Sequence, residues 1–332
     1  MNIPLWKPFK PEFDRLSQGE ATKLFEEKMA AFLNVKYAVA VSSGTFAIYL
    51  ALKAYGIGVG QEVLIPDLTA IGTANAVSMT GARVRLADVD NYGVFNLERT
   101  PIDVDAIIPV HLNGRAVTGN WVRYQNGNIP VIADACQALG SRMGSKYLGT
   151  ISDCGCFSFS PTKTIFTGQG GMIVTNHYWL YDRIKMLRDQ GRKCKGENYL
   201  EASGNFKFTD LQAKIAIEQY EQLPSILERK RHVYEMYYEQ LEQLMYCTSK
   251  ETVIWLPDIY HPKRNQLHKH LKEKGITTRK FYPPIHTQQP YLTHKDFPNS
   301  ERLSQTGLWL PSNVTDEEIS YICKTIKDYL HM

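Results

Sequence analysis

The chain has 332 residues, 43% of them hydrophobic and 22% charged, enough for one large core and a smaller second body. Its net charge of +4 is spread without a long run of one sign, and Arg229, Lys230 and Arg231 follow Glu228 as a solvated helix face, so no nucleic-acid partner is expected. Six scattered cysteines, with Cys154-Gly-Cys156 at no zinc spacing, read as reduced thiols and no metal site; the opening MNIPLWKPFKPEF lacks a signal layout and no apolar run nears spanning length, so a cytoplasmic protein without a membrane partner is expected.

The first two-thirds alternates short apolar runs with helical patterns. YAVAVSS (37–43) predicts a strand and FAIYLALKAYG (46–56) a helix. EVLIP (62–66), the helix-like TANAVSMTG (73–81), VRLADV (84–89), AIIPVH (106–111), PVIADA (130–135), CFSFS (156–160) and MIVTN (172–176) follow. Strands apolar throughout suit a parallel sheet covered on both faces, and the alternation predicts an α/β fold. From about Tyr178 the texture becomes helical: WLYDRIKMLRDQG ends at Gly191, and the long pattern beginning LQAKIAIEQYEQL is interrupted at Pro224. The last hundred residues predict a strand in TVIWLP (252–257), a helix in NQLHKHLKEKG (265–275) and a closing helix in TDEEISYICKTIKDYL. The cleanest boundary lies near residue 225, giving a large domain of 1–225 and a small one of 226–332, with the N-terminal tens of residues free to pack on the latter.

The densest chemistry lies between Asp134 and Gly171. Asp134 closes the apolar run VIAD, and Lys163 follows 29 residues later in a Ser- and Gly-rich connection, SFSPTKTIFTGQGG. A lysine set against a carboxylate suits a Schiff-base site, the acid keeping a cofactor's ring nitrogen protonated while the amine forms the imine. That points to pyridoxal phosphate. Ser42-Ser43-Gly44-Thr45, between a strand and a helix, reads either as an ordinary N-cap or as an anion cup of free backbone N–H groups. Asp134 equally suits a helix cap or a ligand crevice at a sheet edge, and Gln137 either reaches a ring hydroxyl or sits on a turn. No GxGxxG or Walker pattern is present, so dinucleotide and P-loop readings lack support.

SSGTFAIYLAL, VLIPDLTAIGTANAVSMTGA, IIPVHLNGR, VIADACQALGS, DCGCFSFSPTKTIFTGQGGMIVTN, FTDLQAKIAI and GITTRKFYPPIHTQQPY stand in that order. In this the chain resembles the DegT/DnrJ/EryC1/StrS aminotransferases, pyridoxal-phosphate enzymes that aminate keto-sugars, mostly nucleotide-linked. The TxIxTANAV block looks most like the perosamine-synthase branch, which acts at C4 of the sugar. The resemblance implies an aspartate-aminotransferase-like, fold type I architecture, with a mostly parallel sheet and a smaller C-terminal α+β domain. It also implies glutamate as amino donor, a keto-sugar acceptor and a homodimer with shared active sites. By the same resemblance Lys163 holds the cofactor and shuttles protons, Asp134 pairs with the pyridinium nitrogen and Gln137 meets the ring hydroxyl. Gly44, Thr45 and Ser158 hold the phosphate, Asn205 reaches a neighbouring subunit's cofactor, and His286 and Lys207 lie on the substrate side. Dehydratases of the family carry histidine in place of this lysine, so transamination is expected. The chain departs from the family pattern at Ala70, where a large, often aromatic residue is usual, at Gln169, usually Glu, and at Lys207, often Arg. The N-terminal segment and residues 113–128 are also shorter than usual. A non-catalytic binding protein on the same fold, or a pyridoxal enzyme with another outcome such as dehydration or amination of a keto-cyclitol, are the competing readings.

Overall fold

A computed structural model describes residues 18–95, 103–119, 129–193 and 198–332. Cys194 and most of the shortened stretch near 113–128 lie outside these. The chain begins with α1 (Glu20–Leu33), β1 (Tyr37–Val41), α2 (Gly44–Ala54), β2 (Glu62–Pro66), α3 (Ile71–Met79) and β3 (Arg83–Ala87). Strands β4 (Ala106–Ile107), β5 (Ile132–Asp134), the β6 (Arg142–Met143) and β7 (Lys146–Tyr147) hairpin, β8 (Cys154–Ser158) and β9 (Gly171–Thr175) follow.

Strands β3, β2 and β4 run parallel, as do β5 and β8, while β9 is antiparallel to both β8 and β1. Parallel bridges Ile107–Val131 and Val110–Asp134 join β4 to β5, which gives the order β3-β2-β4-β5-β8-β9-β1 with β9 alone reversed among the described strands. The expected α/β fold with a mostly parallel sheet is what forms. The uniformly apolar runs explain it: β9 is buried at all five positions and β2 at four of five, whereas the edge strand β3 is fully buried nowhere. One face packs on α2, α3 and α4 (Tyr178–Arg188). The other is covered by α1 and α5 (Asp210–Glu221), with Phe25 against Phe159 and Phe208. The described part of the N-terminal segment therefore lies on the large sheet rather than on the C-terminal part. Its anchor is Asp210, whose carboxylate accepts from Gly19 N, Ala21 N and Thr22 Oγ1 at 2.8, 3.2 and 2.6 Å. An acid 191 residues away in sequence thus caps α1, which has no side-chain cap of its own.

Helix α6 (Leu223–Leu241) starts afresh at Gln222, with Pro224 in its first turn, where a missing N–H costs nothing. Leu227 belongs to the large core and Val233, Tyr237 and Leu241 to the C-terminal one, so the chain changes body along this helix, near the boundary we propose at 225–226. The second body holds β10 (Asp258–Tyr260), α7 (Arg264–Glu273), β11 (Arg279–Lys280), α8 (Pro298–Thr306), β12 (Gly307–Trp309) and α9 (Asp316–Leu330), its sheet ordered β10-β12-β11 and antiparallel.

TVIWLP is not the strand its apolar run predicts. Residues 252–257 form an extended strap across the large body, because up to Leu256 their backbone bonds go to side chains and turns rather than to a neighbouring strand. Val253 N donates to Ser141 Oγ at 2.8 Å and Leu256 N to Asn113 Oδ1 at 2.9 Å. Just beyond the strap, Arg115 reaches Asp258 through two bonds of 2.8 and 2.7 Å, both side chains buried. Burial opposes the guanidinium charge, and the facing carboxylate outweighs it, holding Arg115 above its usual range. Among the described residues no helix is long and apolar enough to cross a membrane.

Candidate active site

The carboxyl ends of the parallel strands open into a cleft of about 630 Å³, closed on its far side by the C-terminal body. Asp134 stands at the end of β5, Lys163 in the turn after β8, and Ser43 to Thr45 at the entry to α2. Ser43 caps α2 by accepting from Phe46 N at 3.1 Å, leaving the N–H groups of Gly44 and Thr45 at the positive end of the helix. A Cβ added at Gly44 would lie 2.8 Å from Ser158 Cβ and 2.9 Å from Cys136 Sγ. Only glycine lets α2 begin this close to β8, and the result is a cup walled by Thr45 and Ser158.

Asp134 is buried, and both carboxylate oxygens are held. Oδ2 accepts from Thr73 Oγ1 at 2.8 Å and Oδ1 from Cys136 N at 3.0 Å, while Thr69 Oγ1 lies 3.1 Å from Thr73 Oγ1. This fixes the carboxylate in one orientation facing the cleft. Lys163 projects into the same space, with Nζ 4.2 Å from the centroid of the Trp255 ring. Burial pushes its amine below the usual lysine range, opposed by the Asp134 carboxylate and assisted by Arg279. A lysine so shifted has more of the neutral, nucleophilic form near neutral pH. Burial pushes the Cys136 thiol well up, so it stays a neutral neighbour.

Gly44, Thr45, Asp134, Ser158 and Lys163 therefore converge on one cleft. Gln137, Asn205, Lys207 and His286 are not among the residues lining it. Gln137 is buried behind Asp134, accepting from Asn113 N at 2.7 Å and donating to Tyr282 OH at 3.2 Å. His286 is buried in a pair with Asp67, Nδ1 to Oδ2 at 2.8 Å, with its backbone N on Asp67 Oδ1 at 2.8 Å, so it fastens the C-terminal body to the loop after β2. Lys207 pairs with Asp189 at 2.5 Å, and Asn205 bridges to Asp189 through its backbone. The departures Ala70 and Gln169 both line the cleft.

Sequence patterns left out Trp255, Arg279 and Tyr282, which the second body contributes to the cleft. The Arg279 guanidinium lies 5.2 Å from the Tyr282 ring and 5.4 Å from Trp309. The signal available was the mixed basic and aromatic run ITTRKFYPPIH, which has no helical or strand period to explain its composition.

A lysine and a fixed carboxylate at the carboxyl edge of such a sheet place the chain among the fold type I pyridoxal-phosphate-dependent transferases. More narrowly, it belongs to the DegT/DnrJ/EryC1/StrS aminotransferase family, whose pattern matches residues 12–327, and it is an aminotransferase of that family. It is 35% identical over 331 residues to a GDP-perosamine synthase of Escherichia coli O157:H7, covering 94% of this chain and 91% of that protein. A GDP-perosamine synthase of Caulobacter vibrioides is 33% identical, with coverage of 95% and 91%. The solved structure of a DegT DnrJ EryC1 StrS aminotransferase from Brucella abortus superposes with a TM-score of 0.88 at 25% identity, covering 95% of this chain and 91% of that one.

Proposed function

We propose that the chain is a cytoplasmic pyridoxal-phosphate-dependent aminotransferase that moves an amino group from glutamate to a nucleotide-linked 4-keto-6-deoxy sugar, for surface-polysaccharide or related glycan synthesis. The observation that carries this reading is the Lys163 amine facing the fixed Asp134 carboxylate in one cleft with the Gly44 cup. The residues present fit the cofactor: the close approach at Gly44 leaves an anion-sized cup of N–H and hydroxyl groups, and the buried acid suits a protonated ring nitrogen. Bound there, pyridoxal phosphate supplies an electron sink and carries the amino group between donor and acceptor.

Gly44, Thr45 and Ser158 would hold the phosphate. Asp134, its orientation fixed by Thr73 and the Cys136 N–H, would keep a proton on the ring nitrogen. Lys163 Nζ would hold the cofactor and, when free, would accept and return a proton at Nζ. Gln137 donates to the Tyr282 hydroxyl and so helps to hold that side chain in the cleft wall. We further propose a homodimer in which Asn205 and Lys207, absent from the lining of their own cleft, serve the partner's, with His286 holding the wall on the substrate side. The perosamine synthases among the relatives favour C4 of a GDP-linked sugar as the acceptor. Incubation with glutamate and a panel of nucleotide-linked keto-sugars, with the aminated product identified by mass spectrometry, tests the reading. Formation of 2-oxoglutarate without any aminated sugar from the panel would refute the acceptor class.

A further inference from the structure

The strap at 252–257 brings one large side chain to the catalytic turn. Trp255 is 2% exposed, and its ring makes two different contacts with consecutive residues. Its Nε1 donates to the carbonyl of Thr162 at 2.7 Å, while its face lies 4.2 Å from Lys163 Nζ. The ring itself has little freedom. It packs edge-on against Trp309 at 5.6 Å, Lys230 Nζ holds its carbonyl at 2.9 Å, and Asn113 brackets the next residue through Leu256 N and O, both at 2.9 Å.

We infer that Trp255 is a positioning residue for Lys163: its edge fixes the backbone before the lysine, and its face gives the released amine a parking place beside Asp134. The inference rests on reading Lys163 as the reactive amine. A cation over an indole face is favoured by the ring's quadrupole, so Trp255 stabilises the ammonium form that burial disfavours. The cleft needs such a counterweight. The groups that also face the amine are Asp134 and Cys136 from the end of β5, and Arg279 and Tyr282 from the second body, where the guanidinium opposes a second positive charge. The indole lets the released lysine hold the proton it has just taken without an added carboxylate, which would compete for the cofactor's ring.

The titration of the Lys163 amine in the full-length, cofactor-free chain tests this. Single-hit reductive methylation across pH, read at the Lys163 peptide by mass spectrometry, gives the midpoint directly. Trp255→Leu is expected to lower it by about 0.5 to 1 pH unit, the size of a partly desolvated cation–π contact. Because a leucine there leaves a void, mono-, di- and trifluorotryptophan at position 255 provide the second series, weakening the ring's negative face at nearly constant shape. The expected result is a midpoint that falls stepwise with fluorination. An unchanged or rising midpoint in the fluorinated series would overturn the inference. Failure of the aminotransferase reading would show separately, as a wild-type protein without a Lys163-dependent cofactor band.

Discussion

Replacing Arg115 with methionine removes one half of the ion pair that joins the two bodies. Asp258 is fully buried and accepts three bonds: two from Arg115 at 2.8 and 2.7 Å, and one from Tyr260 OH at 2.6 Å. The methionine fills most of the space but leaves the carboxylate with a single donor and no countercharge. Breaking a buried pair in this way costs about 3–5 kcal/mol. Exchanging both members for apolar residues, as in Arg115→Met with Asp258→Leu, removes the orphaned charge and is expected to cost about 0–2 kcal/mol, with Tyr260 losing its acceptor. Urea unfolding of wild type, both single variants and the double variant gives the coupling directly. A single-variant loss below about 1 kcal/mol, or a double variant less stable than Arg115→Met, would refute the claim that the pair is a desolvated tie between the bodies.

Three further outcomes follow from the geometry. Gly44→Ala places a methyl 2.8 Å from Ser158 Cβ and 2.9 Å from Cys136 Sγ, and overpacking of about 1–3 kcal/mol should weaken pyridoxal phosphate binding roughly tenfold or more; unaltered affinity in a cofactor titration would dismiss the cup. Asp210→Ala removes three bonds at the start of α1 and should cost about 2–3 kcal/mol in urea unfolding, whereas a loss under about 0.5 kcal/mol would mean that α1 is capped otherwise. Burial pushes buried His111 down to about 3, so the folded state refuses a proton that the unfolded chain accepts below about pH 6.5. Its contribution to stability is complete above that pH and is lost at about 1.4 kcal/mol per unit as pH falls towards 3; His111→Gln should flatten this slope relative to wild type, and coincident slopes would disprove it.

The parts of the fold that were readable in the sequence are those whose signal is local. β2 and β9 are short and mostly buried, with apolar cores (Val63–Pro66 and Met172–Val174), and such runs give themselves away without any partner in view. The same holds for Gly44, Asp134 and Lys163, each placed by a strand-to-turn junction a few residues long. Long-range organisation was not readable. Helix α1 carries no N-cap of its own, because Asp210 supplies it from the other end of the large domain. TVIWLP has a strand's composition, but Ser141 and Asn113 take its backbone bonds, and apolarity alone does not distinguish a strand from a buried strap. Trp255, Arg279 and Tyr282 reach the cleft only through the packing of the second body on the first, and the aperiodic run ITTRKFYPPIH was the one local hint, for Arg279 and Tyr282 alone. His286 shows the converse: a histidine in a functional-looking run is spent on Asp67, holding the two bodies together.

The visible absorption spectrum of the purified protein with pyridoxal phosphate, before and after glutamate and beside Lys163→Ala, addresses the central claim most directly. The expected result is a cofactor band that glutamate bleaches in the wild type and that is absent or unresponsive in the variant. A wild-type protein at saturating cofactor with no lysine-dependent band would contradict the assignment of Lys163 and, with it, the aminotransferase chemistry proposed for this cleft.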